Sequence, residues 1–313
     1  MQKKKPQKQV TATRIKALTN ELVKAAKIDQ IPYPQPRNKE LPKSFFLAGF
    51  TGSRGSGKTA LCIRLLKDLE ESGIFDEKGN RVPQRIILIS PTSQSNPAFK
   101  QLAHLQKEDT HSQYSDSLLL RIIEEVKKDM DATRTYKKAC YLQKVFHKLV
   151  RAERDPLMTM KRDDLTLLSA ETNGFRDPPR LPPHPDGQVT HLVLDDCVSS
   201  PAFNLTRCNA FAGYCLNGRH HWSNIYLISQ RARQIPPIIR TNVTLLAVWR
   251  ASLTLLVDEV WPLIDEIVPI KEDFLTLFKA ATGANKFDAL VVDKQGEEGR
   301  QIKRNLNEIL TLR

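Results

Sequence analysis

Eight consecutive residues, Gly52-Ser53-Arg54-Gly55-Ser56-Gly57-Lys58-Thr59, fit the spacing G-x-x-x-x-G-K-[ST] at every fixed position. Each residue type has a physical task. The glycines let the backbone wrap an anion closely and take positive φ. Successive N–H groups and a helix N-terminus then point at phosphates. The Lys58 ammonium can reach the β- and γ-phosphates, and the Thr59 hydroxyl can ligate Mg²⁺. The ligand implied is a nucleoside triphosphate, ATP with its Mg²⁺.

A second constellation is His191-Leu192-Val193-Leu194-Asp195-Asp196, an apolar run ending in paired carboxylates. Adjacent carboxylates at a strand end are costly unless a cation or hydrogen bonds offset their repulsion. Asp195 is the candidate Mg²⁺ ligand, and Asp196 the candidate that polarises an attacking water. A third is Ser229-Gln230, which closes the next apolar run. If that run lies beside the strand before the phosphate loop, Gln230 stands near the γ-phosphate, where a neutral amide can orient water.

These residues need elements to position them. Phe45–Phe50 reads as a buried parallel strand and residues 60–69 as a helix that Gly73 ends. Buried strands are expected at Arg85–Ser90, His191–Asp195, Asn224–Ser229 and Val243–Val248, and helices over residues 203–219 and around Phe274, Leu277 and Phe278. Strands alternating with helices predict an α/β fold, a mostly parallel sheet covered on both faces. Residues 97–187 break the rhythm and read as a largely helical insertion between the second strand and the acidic strand. The expected organisation is a basic N-terminal arm and Pro-rich linker over 1–40, an ATPase domain over 41–292, and a polar C-terminal tail over 293–313.

Composition narrows the partners. Forty-eight Lys and Arg face 35 Asp and Glu, a formal net charge of +13. So large an excess points to a polyanion such as nucleic acid. No apolar run approaches the ~20 residues that span a bilayer, and the N-terminus lacks a signal-peptide core, so an intracellular location without membrane contact is expected. The five cysteines form no CxxC pair and suit reduced thiols. Cys208, Cys215, His220 and His221 match no common zinc spacing.

Together Gly52–Thr59, Leu194-Asp195-Asp196, the stretch Asn217–Gln230 with Arg219 eleven residues before Gln230, and Ile235–Asn242 carry a family resemblance. Over roughly residues 45–250 the chain resembles the HerA/FtsK superfamily of P-loop ATPases. It is most similar to the genome-packaging ATPases of poxviruses, other large DNA viruses and virophages. The resemblance implies a RecA-like ASCE core and a homo-oligomeric ring, a pentamer or hexamer, that pumps double-stranded DNA. It also implies a capsid or portal partner and action where virions assemble. It makes Arg219 the candidate arginine finger that reaches a neighbouring subunit's ATP, with Arg240 second. The alternatives are a cellular or plasmid HerA-like translocase, and a nucleotide-binding DNA-binding or assembly protein that is not a motor.

Overall fold

Five apolar residues, Leu47–Thr51, form the strand β1 that feeds the phosphate loop, and all five are buried. Such a run must be covered on both faces, and the structure supplies the cover. The computed structural model describes residues 33–93, 96–197, 203 and 209–312. Pro34–Arg313 form one compact unit. Residues 1–32 of the expected basic arm lie outside the described residues.

The central sheet contains β1, β2 (Gln84–Ile89), β3 (Leu105–His111), β4 (Val189–Asp195), β5 (Ser223–Ser229), β6 (Leu245–Val248), β7 (Leu290–Asp293), β8 (Ile302–Arg304) and β9 (Glu308–Ile309). Its spatial order is β9-β8-β7-β6-β1-β5-β4-β2-β3. β1 pairs in parallel with β5 on one side and β6 on the other. β4 pairs in parallel with β5 and β2, and β2 in parallel with β3. The last three strands run antiparallel.

Side chains alternate between the two faces, as strand geometry requires. On one face Phe46, Ala48, Phe50, Val193, Tyr226 and Ile228 pack against helix α1 (Lys58–Ser72) through Leu61, Cys62, Leu65, Leu66 and Leu69. On the other, Leu47, Ile87, Ile89, Leu192, Leu194 and Leu227 pack against α2 (Asp116–Arg151), α4 (Asn209–Asn217) and α5 (Lys271–Thr282). This is the expected α/β architecture: a mostly parallel sheet with helices on both faces.

Two expectations need correction. The segment 97–187 is not helical throughout. Its first part adds β3 to the edge of the sheet before α2 and a shorter helix, α3 (Arg162–Glu171), begin. The sequence Leu-Gln-Lys-Glu-Asp-Thr-His hides that strand. An edge strand is exposed and charged, so the apolar signal of its neighbours is missing. Within α2, Ser115 caps the N-terminus by accepting from the Leu118 N–H at 3.1 Å, and Leu119, Ile122, Ile123, Val126 and Met130 are buried.

The polar tail expected over 293–313 is instead the antiparallel meander of β7, β8 and β9. The strands are two to four residues long, too brief for a periodicity to register. The meander ties back to residues expected to be linker. The Lys303 ammonium donates to the Glu40 carbonyl at 2.7 Å, and Arg300 pairs with the Glu40 carboxylate. Gln35–Pro36 pairs with Ile74–Phe75 in a small three-stranded sheet, so the folded unit begins earlier than the expected boundary at 41.

His191 sits in the middle of the sheet, fully buried. Its Nδ1 lies 2.8 Å from the Tyr226 hydroxyl and its Nε2 3.0 Å from Gln84 Oε1. Burial holds its pKa down at about 3, so it is neutral in the fold. A group whose folded pKa lies below its unfolded value gives stability above the unfolded pKa and loses it as pH falls. We therefore expect the Tm to fall steadily from pH 6.5 towards pH 3, with a weaker slope in His191→Gln. Parallel slopes for the two proteins would assign the acid lability elsewhere.

Candidate nucleotide site

The loop 52–57 leaves the C-terminal end of β1 and turns into α1, the strand–loop–helix setting that a phosphate loop needs. Gly55 and Gly57 take φ of 74° and 102°, conformations that favour glycine. Gly52 is required for another reason: a Cβ there would stand 2.8 Å from Trp249 Cβ and 3.0 Å from Ser56 Oγ. The Ser56 hydroxyl is buried and has no hydrogen-bond partner among the described residues. A buried orphan hydroxyl inside a glycine cradle fits a loop shaped around an anion. Gly52→Ala should destabilise the protein by about 1–3 kcal/mol through overpacking against Trp249. Thermal melts of the two proteins check this, and an unchanged Tm would contradict the close approach.

Lys58 lies at the first turn of α1. Its ammonium donates to the Gly52 carbonyl at 2.8 Å and the Ser53 carbonyl at 2.9 Å, which fixes it across the loop. Burial lowers its pKa, while Asp195 and Asp196 favour its charged form. Ser53, Arg54 and Gly55 are exposed at the rim.

Asp195 ends β4 and is buried. Its Oδ1 is 3.4 Å from Thr59 Oγ1, and its Oδ2 accepts from the Ser90 hydroxyl at 3.1 Å. Burial raises the Asp195 pKa, opposed by the Ser90 hydrogen bond. A desolvated carboxylate beside a hydroxyl is a hard-oxygen pair that suits Mg²⁺, which takes few protein ligands and completes its shell with phosphate and water. Thr59 and Asp195 would hold the ion, and the ion would supply charge neutralisation at the phosphates. Ser90 is the residue that sequence reasoning missed. It follows β2, and the parallel register that sets Ile89 against Leu194 brings it beside Asp195.

Asp196 follows with φ 54° and is exposed, its N–H donating to the Ile228 carbonyl at 3.2 Å. The left-handed turn places its carboxylate outside the sheet while keeping its backbone stitched to β5. Gln230 follows Ser229, whose carbonyl accepts from the Gly52 N–H at 3.3 Å. The structure therefore brings Gln230 to the start of the phosphate loop with its side chain exposed. The Gln230 N–H donates to Gln234 Oε1 at 3.1 Å, which holds the turn after β5.

Arg219 is not part of this cluster. It lies in the short turn Gly218–His221 before β5, at the end of that strand opposite Gln230. At roughly 3.3 Å of rise per residue, the strand alone separates them by about 20 Å. The turn is braced by α2 of the insertion and by α4: Arg134 donates to the His220 carbonyl and the Lys137 ammonium lies 5.2 Å over the Trp222 ring, while the His221 ring stacks on Tyr214 of α4 at 5.7 Å. Arg240 is half-buried and donates to the Ala232 carbonyl at 3.4 Å, a tether within its own chain. Arg233, just after Gln230, pairs with Glu259 at 3.4 Å. Cys208 and most of the segment after Asp196 lie outside the described residues.

The fold is α/β, with a phosphate-loop sequence between strand and helix and an acidic strand end beside it. No family model matches the chain, and no curated protein matches it. Solved structures similar to it include the genome-packaging NTPase B204 from Sulfolobus turreted icosahedral virus 2, with 12% identity, TM-score 0.43, and coverage of 85% of this chain and 97% of that one. EssC from Geobacillus thermodenitrificans (ATPases 2 and 3) has 14% identity, TM-score 0.44, and coverage of 84% and 40%. The pCW3 conjugation coupling protein TcpA has 12% identity, TM-score 0.40, and coverage of 83% and 59%.

Proposed function

We propose that the chain is an ATP-hydrolysing, double-stranded DNA translocase, a viral genome-packaging motor that works as a homo-oligomeric ring where virions assemble. The observation that carries the nucleotide part is the meeting of Lys58, Thr59, Asp195 and Asp196 at one mouth of the sheet. In this reading Lys58 and the loop N–H groups hold the triphosphate, and Thr59 and Asp195 hold Mg²⁺. Asp196 accepts the proton of the attacking water, and Gln230 orients that water and registers loss of the γ-phosphate. A loop that senses the γ-phosphate can pass its loss to DNA-facing segments as an order change.

The DNA part is supported by the net charge of +13, of which the phosphate loop uses little. Contacts to the duplex backbone make binding sequence-independent and weaken it with salt, with a slope of about −0.9 per phosphate neutralised.

Asp196→Asn separates binding from chemistry. ATP affinity should stay within about threefold, because the residue touches water rather than phosphate, and turnover should fall about 10²–10⁴-fold with the loss of the base. Duplex binding measured over a salt series should show a linear loss of log affinity. An Asp196→Asn protein that hydrolyses ATP at the original rate would remove this assignment. Tight nucleotide and duplex binding without any turnover in the original protein would instead establish an assembly protein.

A further inference from the structure

We propose that the exposed ring of Phe287 is the platform on which the base of the bound nucleoside triphosphate stacks. The inference rests on reading Gly52–Thr59 as the triphosphate site. Phe287 is 51% exposed, and a single exposed phenylalanine is ordinary on a protein surface. Its surroundings are not ordinary. A Cβ on Gly57, the residue before Lys58, would lie 3.5 Å from the ring's Cδ1. The ring therefore stands about one carbon's width from the phosphate loop, within the reach of a nucleoside whose phosphates sit in that loop.

The platform is also rigid. The buried Trp249 indole donates to the Phe287 carbonyl at 2.9 Å, and the Phe287 N–H donates to Asn285 Oδ1 at 3.2 Å. The Asn285 N–H donates to Asp288 Oδ2 at 3.0 Å, and Asn305 Nδ2 donates to Asp288 Oδ1 at 3.1 Å. Upstream, Arg250 donates to the Thr282 carbonyl at 2.8 Å and the Gly283 carbonyl at 2.9 Å. A loop fastened at this many points presents its ring without an ordering cost on binding. The Lys286 ammonium, on an exposed side chain, stands 4.7 Å from the ring centroid. That cation already lies over one π-face of the ring, so a base would stack on the opposite face or displace the flexible lysine side chain.

A phenyl ring has no donor or acceptor, and stacking is tolerant of base identity because every base has a π-face. The site should therefore take purine nucleotides without strong choice between adenine and guanine through this residue.

The test uses the full-length protein and compares three ligands by calorimetry: ATP, GTP and inorganic tripolyphosphate. In Phe287→Ala the Kd for ATP and for GTP should rise about tenfold, within the range that loss of one base–aromatic stack gives. The Kd for tripolyphosphate should not change, and Phe287→Trp should restore ATP affinity. An unchanged ATP Kd in Phe287→Ala overturns the proposal. So does an equal loss for ATP and tripolyphosphate, which would mean that the ring only supports the loop. Failure of the underlying site is distinguishable: the unaltered protein would then bind none of the three ligands, with Phe287 present.

Discussion

Lys58→Ala is expected to lower ATP turnover about 10²–10³-fold, the size found when one preorganised donor to developing charge is removed. It should also weaken triphosphate binding while leaving the fold intact. The Lys58 ammonium donates to two loop carbonyls and stands near the Asp195 and Asp196 charges, so it is already aimed across the loop before phosphate arrives. Its partial burial lowers its pKa by desolvation. That low-dielectric setting makes its charge count for more on a phosphate than it would in water. Lys58→Arg is the useful companion. It keeps the charge but not the compact, rotatable head, and should recover little activity. Calorimetry and a steady-state ATPase assay check both variants. Wild-type turnover by Lys58→Ala would mean that the loop is not where hydrolysis happens.

Arg219→Ala is expected to reduce turnover about 10³-fold or more if its guanidinium serves as a finger across a subunit interface, the range known for such residues. Nucleotide affinity should change little. The geometry makes a role in its own chain's site untenable, since β5 lies between Arg219 and the phosphate-loop end of the sheet. The turn that carries it is nonetheless held firmly, by Arg134 from the insertion helix, by the His221–Tyr214 stack and by Lys137 over Trp222. A braced, exposed cation at a surface end of the sheet suits a residue that must meet a partner in a fixed position. Mixing Arg219→Ala with Lys58→Ala subunits gives the decisive arrangement. In an equimolar random ring about one quarter of the interfaces pair an intact Lys58 with an intact Arg219. Activity should return towards that fraction. No recovery at any ratio, with the ring assembled, would remove Arg219 from the site.

The parts of the fold that could be read from sequence are those whose burial is complete. β1, β2, β4, β5 and β6 each carry an apolar run because each is covered on both faces, and the acidic end of β4 stands out against them. The adjacency of β5 and β1 was legible as well, and it sets Gln230 at the start of the phosphate loop. What escaped was β3 at one edge and β8 and β9 at the other, where short length and solvent exposure remove the apolar signal. Ser90 and Phe287 escaped for a different reason. One is a common residue at a strand end and the other lies in a loop, and only the folded register and the packing on Trp249 bring them to the site. Arg219 was legible only as a resemblance, because within one chain it touches none of the residues it is meant to serve.

Coupling of ATP turnover to duplex DNA is the centre of this reading, and it is tested most directly by measuring ATPase rate with and without double-stranded DNA, at low and high salt, alongside the oligomer's mass. A ring-sized assembly is expected, whose turnover rises with duplex DNA at low salt and loses that stimulation as salt increases. A monomer with the same ATPase rate at every DNA and salt concentration would contradict it.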